Sequence, residues 1–203
     1  MKYFLLFFAL FLMIGCSPTL RHSYAKLSSP EKNWVALHSL KAKRAFLISK
    51  EVEKVADSIA AENIIGDDNN GGHLDAFKHS FWMARLTQSI GINAALSLGK
   101  AHEKGNYLTF KKERLEDGWL PDKASSEMDL FNNSVGSSIG IHNKKVSRSI
   151  LMQKVLDSLQ NGKLRILNKD VQGNFIDCQQ NRIPLDSLKN KWDTKKCLIS
   201  SKK

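Results

Sequence analysis

Residues 71–82, GGHLDAFKHSFW, crowd two histidines, an aspartate and a lysine into a stretch that is otherwise apolar and helix-like. A charge buried in such a segment is costly unless it is paired or ligated. On a helix Asp75 and His79 stand four residues apart and Trp82 three further on, so all three project from nearly one face, with Lys78 beside Asp75 at the i+3 position. A second polar group, His102 and Glu103, lies in GKAHEKG, and a third, Asp129, Asn132 and Asn133, in SSEMDLFNNSVGSSIG. Three successive helical stretches thus each bring polar groups to one side among apolar neighbours, which is how bundles build metal and cofactor sites. Two histidines with two or three carboxylates suit a mononuclear or dinuclear divalent-metal site, zinc for instance. The candidate ligands are Asp75, His79, His102, Glu103 and Asp129, and Asn133 joins them as a candidate catalytic group. Such a site lowers the pKa of bound water and polarises an ester or phosphate. Without a metal, His79 and Asp75 form a general acid/base dyad.

Other chemistries find less support. There is no GxSxG, and neither Ser80 nor Ser134 sits in a nucleophile elbow. DDNNGGHLDAFKH fails as a calcium loop because His73 occupies the glycine position and no glutamate closes it. Each candidate also has a structural reading. Asp75 fits a helix N-cap, and Ser126 to Asp129 fit a capping box. His102 and Glu103 fit a solvated helix end, and His79 a satisfied core histidine. Adjacent His102 and Glu103 point about 100° apart on an ideal helix, so both reach one site only if the helix frays there. Gly136 and Gly140, four apart, allow close backbone approach or line a passage. Two function classes therefore stand: a hydrolase of lipid, phosphoester or cell-wall substrates, and a non-catalytic protein whose Asp/His/Asn network fixes helix register.

The elements that position these residues are helical. PEKNWVALHSLKAKRAFLISKEVEKVADSIAAENI reads as one or two helices, with Pro30 at the start and apolar residues such as Phe46, Val52, Val55 and Ile59 near three- and four-residue spacing. IGDDNNGG breaks the pattern. Helices are expected over 73–90, 92–104, 126–142 and 146–160, with Gly91 and a loop containing EDGWLPDKASS between them. LRILNKDVQGNFIDC then alternates around a glycine-centred turn, the pattern of a small hairpin. The fold class is mainly α: a helical bundle with a small C-terminal β-hairpin appendage. One domain spans 31–203, with its motif core at 60–145.

The chain opens MKYFLLFFALFLMIGC, one lysine followed by twelve apolar residues from Tyr3 to Ile14. That run is too short to span a bilayer core of ~30 Å, and it has the size of a secretory h-region. Met13-Ile14-Gly15-Cys16 resembles the lipobox of a bacterial lipoprotein. Residues 1–15 then form the signal peptide, Cys16 carries the lipid, and 16–30 form a polar tether. Several acyl chains make such anchorage effectively permanent. Ser17 points to sorting to the outer membrane, facing the periplasm. Cys178 and Cys197 remain as an even pair in a compartment that permits disulfides. Losing Lys2 with the signal peptide lowers the net charge of +11 by one, and the surplus is dispersed rather than blocked. An exported protein so charged is expected to meet anionic headgroups or envelope polymers, and no nucleic-acid motif is present.

DAFKHSFW, AHE and MDLFNNSVG, in that order, resemble an uncharacterised bacterial domain with the pattern Asp-Ala-Phe-Arg-His-x-x-Trp, Ala-His-Glu and Met-Asp-x-x-Asn-Asn-x-x-Gly. That domain occurs in exported bacterial proteins, including C-terminal modules of polymorphic toxins. The resemblance covers roughly residues 60–145. It singles out Asp75, His79, Trp82, His102, Glu103, Asp129, Asn132, Asn133 and Gly136, with Lys78 where arginine is usual. It marks a site without naming a reaction.

Overall fold

The computed structural model describes residues 18–112 and 120–202. The segment expected to be a signal peptide and the expected lipidation site Cys16 lie outside the described residues. Helices α1 (Pro18–Lys26), α2 (Ser29–Leu37) and α3 (Ser39–Ala61) are followed by α4 (His73–Ile90), α5 (Ile92–Lys111), α6 (Lys123–His142) and α7 (Arg148–Gln160). Strand β1 (Arg165–Leu167), the short α8 (Leu185–Leu188) and β2 (Leu198–Ser200) complete the described order. Helix α1 occupies part of the segment read as a tether. No described helix is long and apolar enough to cross a membrane.

Helix α4 is the centre of the bundle. Twelve of its eighteen residues are buried, because α3, α5, α6 and α7 all pack on it. Phe77 and Phe81 stack at 5.5 Å and meet Leu151, Val155 and Leu159 of α7 in one core. Helix α3 contributes one stripe, Ile48, Val52, Ala56 and Ile59, at the spacing expected of an amphipathic helix. Helix α2 packs on α5, where Trp34 Nε1 donates to Ser97 Oγ at 2.8 Å.

The mainly helical fold with a small antiparallel sheet near the C-terminus agrees with the sequence reading. The strand partners differ from the expected local hairpin. The turn at Gly173 forms, with Asp170 Oδ1 accepting from the Asn174 amide at 2.8 Å and a bridge between Lys169 and Phe175. Strand β1 instead pairs with β2 from the chain's end, Arg165 opposite Ser200 and Leu167 opposite Leu198. A disulfide between Cys178 and Cys197, 19 residues apart, closes this appendage, and a loop of that size stabilises by roughly 3 kcal/mol in the chain-entropy picture.

The appendage is fastened to the bundle by buried polar contacts. Asn132 spans the Arg165 backbone, donating to its carbonyl and accepting from its amide, both at 2.9 Å. Lys196 Nζ meets Asp122 Oδ2 at 2.5 Å and sits 3.7 Å from the Phe175 ring centroid. Burial lowers the Lys196 pKa, although Asp122 opposes the shift. Asp122 also corrects the expected start of α6: its Oδ1 accepts from the Ser125 amide at 2.9 Å, so the helix begins at Lys123 and the Ser126–Asp129 capping box does not form. Asp129 lies beyond the first turn and is released for another role.

Helices α4 and α6 touch backbone to side. A Cβ at Gly136 would fall inside contact distance of the Ser80 carbonyl oxygen and 2.8 Å from its carbonyl carbon, so the residue must be glycine for α6 to lie there. Gly136→Ala is expected to lower unfolding stability by about 3 kcal/mol or more, the upper end of over-packing costs, measured as a shift in the urea midpoint. An unchanged midpoint would mean that the helices separate freely.

Candidate metal centre

The first turn of α4 sets the site. Its N-cap is Gly72, not Asp75. Gly71 adopts φ +80 and has Leu167 where a side chain would go, and its amide donates to Asp75 Oδ2 at 2.8 Å. That bond fixes the carboxylate from one side and turns Oδ1 toward His79 Nε2, 3.6 Å away one helical turn on. From α6, Asp129 Oδ1 approaches the same Nε2 to 3.5 Å. One ligand atom from each of Asp75, His79 and Asp129 lies within 4.8 Å of the other two, and all three residues are buried. Separations of 3.5 and 3.6 Å are too long for good hydrogen bonds. They match the edge of a tetrahedron, since two ligands about 2.0 Å from one ion stand roughly 3.3 Å apart.

His102 and Glu103 flank this trio from α5, which does not fray but continues to Lys111. The two side chains therefore diverge. The His102 ring lies 6.1 Å from His79 and 5.7 Å from Trp82, centroid to centroid, and its Nδ1 is 3.1 Å from Glu31 Oε1. At 29% side-chain exposure it is the part of the site that solvent reaches. Glu103 is buried and accepts from Asn106 Nδ2 at 3.3 Å. Gly99 faces Asn133, and the antiparallel run of α5 against α6 brings Glu103, one turn on, to the level of Asp129, one turn back. Lys78 reaches Asp75 Oδ1 at 3.7 Å and Asn69 Oδ1 at 2.8 Å.

Burial, and then the neighbouring charges of Lys78 and His102, hold the His79 imidazole well below its usual pKa; Asn133 pulls weakly the other way. The ring is therefore neutral, the form that ligates metals. Asn133 lies against it, fully buried, yet neither amide atom of Asn133 nor His79 Nδ1 makes a good hydrogen bond among the described residues. A ligating histidine normally donates its second N–H to such an acceptor. Burial works against ionisation of Glu31, but hydrogen bonds from His102 and Ser28 and the charge of His102 outweigh it and hold the carboxyl below its usual range.

The structure thus gathers Asp75, His79 and Asp129 at one point, with Asn133 behind His79 and His102 and Glu103 at the margins. Asn132 and Gly136 serve packing instead, and Trp82 donates to Ser49 Oγ at 2.9 Å while its ring borders His79 and His102. Glu31 escaped the sequence reading. Its signal was Ser28-Ser29-Pro30-Glu31, a capping box with proline in the first turn.

The family model described as Domain of unknown function (DUF6973) matches residues 32–163. The chain belongs to this family. No curated protein and no solved structure matches it. The family span contains α3 to α7 and every residue of the buried trio, whereas the strands and both disulfide cysteines follow it. The family match therefore covers the bundle and leaves out the sheet.

Asn133→Leu separates structure from ligation at this centre. Removing a buried amide without good hydrogen bonds should leave metal-free stability within about 1 kcal/mol, while loss of the group behind His79 should weaken divalent-metal binding by about 10–100-fold. Calorimetric unfolding and metal titration of the same sample read both quantities. Equal metal affinity in the two proteins would remove Asn133 from the site.

Proposed function

We propose that this chain is a membrane-anchored envelope lipoprotein whose bundle holds a divalent metal and acts as a metal-dependent hydrolase on lipid, phosphoester or cell-wall substrates. The observation that carries the reading is the spacing around His79 Nε2, with Asp75 and Asp129 oxygens at 3.6 and 3.5 Å about a neutral imidazole. The mixed nitrogen and oxygen donors suit zinc or manganese. A divalent ion held there supplies the Lewis acidity that activates water near neutral pH and polarises an ester or phosphate. Asp75, His79 and Asp129 hold the ion, and Asn133 orients His79. Lys78 contacts both Asp75 Oδ1 at 3.7 Å and Asn69 Oδ1 at 2.8 Å, and Asn69 lines a cleft of about 320 Å³ together with Asp67, Asp68, Asn70, Lys169 and Phe175.

The bacterial origin, the three-motif relationship to exported toxin modules and the lipid anchor belong to the same proposal. They rest on the motif order, on the lipobox-like Met13 to Cys16 and on Ser17, which supports an outer-membrane position facing the periplasm. Dispersed positive charge supports contact with anionic lipid or envelope polymer.

A second reading is favoured by one observation: all three convergent residues are buried. In that reading the network, with or without an ion, holds α4 and α6 in register and catalyses nothing.

Metal analysis of protein purified without chelator tests the first reading. Near one ion per chain is expected, falling at least about tenfold in His79→Ala, with hydrolase activity on a panel of ester, phosphodiester and cell-wall substrates lost in parallel. Metal-free protein that gains no thermal stability from zinc, manganese or calcium would defeat the metal mechanism, since an ion at 100 times its Kd would add about 2.7 kcal/mol. Bound metal without turnover would favour the structural reading. The anchor has its own test: Cys16→Ser should stay unprocessed or be released from membranes, and wild-type protein recovered soluble and unacylated would end the lipoprotein assignment.

A further inference from the structure

Helix α2 opens on a capping box that also reaches α5. The Ser28 amide and hydroxyl donate to Glu31 Oε2 at 2.8 and 2.7 Å, and the Glu31 amide donates back to Ser28 Oγ at 3.4 Å. The other carboxylate oxygen, Oε1, faces His102 Nδ1 at 3.1 Å. A carboxylate only accepts, so Nδ1 carries the hydrogen, and in the neutral form of the ring that puts the lone pair on Nε2. The two helices are built to meet there: a Cβ on Gly105 would stand 2.5 Å from Ser28 Oγ and 3.7 Å from Glu31 Oε2. On its other side the same ring borders His79 and Trp82.

We propose that Glu31 is a positioning residue of the metal centre, holding His102 in the tautomer and orientation whose Nε2 completes the ligand set of Asp75, His79 and Asp129. The inference rests on the metal reading above and adds to it the outer ligand and the group that aims it. Imidazoles sharing one zinc ion have centroids roughly 5 Å apart. The His79 and His102 centroids lie 6.1 Å apart and His102 is outside the set whose ligand atoms fall within 4.8 Å of one another, so its Nε2 joins the set only through a movement of the ring, which the partly exposed side chain permits. A carboxylate behind a ligating histidine fixes its tautomer and raises its basicity, and losing one typically costs about 10–100-fold in metal affinity. Glu31 also precedes the family span by one residue, so this chain supplies the aiming group from the helix that leads into the shared bundle.

Cobalt titration of the full-length chain in detergent, followed by visible absorption, tests the assignment. Wild-type protein should show the intense bands of a four-coordinate nitrogen and oxygen centre. Glu31→Ala should bind about 10–100-fold more weakly with altered bands, and Glu31→Gln, whose amide oxygen still accepts from Nδ1, should keep most of the affinity. Glu31→Ala should add nothing in a His102→Ala background. Ser28→Ala removes the cap hydroxyl while leaving the Glu31–His102 contact, and should lower thermal stability without changing the cobalt spectrum. If Glu31→Ala does not fold, the imidazole nitrogen chemical shifts of His102 in the wild-type chain decide, Nδ1–H being expected and Nε2–H overturning the proposal. Wild-type affinity and spectrum in a folded Glu31→Ala, with uptake abolished in Asp129→Asn, would overturn this inference and leave the metal centre standing. A wild-type chain that takes up no cobalt would overturn both.

Discussion

Helix α6 shares a site with α4 only because Gly136 has no side chain. With the Ser80 carbonyl occupying the space where a Cβ would be, the two helix axes come close enough for Asp129 to stand 3.5 Å from His79 Nε2. A wider crossing, of the kind that larger interfacial residues impose, would carry Asp129 away from the Asp75–His79 pair. On the same helix Asn132 clamps the Arg165 backbone. One helix therefore serves both the polar centre and the attachment of the sheet.

Around that contact the polar groups are sorted by what holds them. Asp75 is fixed through Oδ2 by the Gly71 amide, and Gly71 is in turn held by β1, whose Leu167 amide donates to its carbonyl at 2.8 Å. His79 is kept neutral chiefly by burial. Two carboxylates facing a neutral ring at tetrahedral-edge distance make a poor hydrogen-bonded network and a good cation cradle.

Much of this was legible in the chain. The i, i+4 spacing of Asp75 and His79 put them on one face, and α4 runs over the residues its periodicity marked, His73–Ile90. Patterns within a helix survive because they depend on local geometry alone. What failed depended on distant partners. Asp75 looked like a cap, but Gly72 takes that place once β1 pins Gly71. Ser126 looked like the start of α6, but Asp122 starts it, and the reason lies 72 residues away in Thr194 and beyond it in Lys196. The strand register was hidden for the same cause, since the partner of β1 comes from the end of the chain. Glu31 was visible as a capping residue. Its second task, facing His102 from 71 positions away, leaves no periodic trace.

The inner and outer parts of the centre consequently differ in rigidity. Asp75, His79 and Asp129 are buried where α4 and α6 meet, so their geometry changes only if that contact changes. His102 belongs to the partly exposed edge and takes its orientation from Glu31 at the start of α2, the helix just after α1 and the segment leading back to Cys16. Displacement of that N-terminal region would therefore be felt first at His102, through the Ser28–Glu31 box and the Gly105 contact, and only weakly at His79. The division leaves the more exposed imidazole at the solvent side and keeps Asp75, His79 and Asp129 buried behind it.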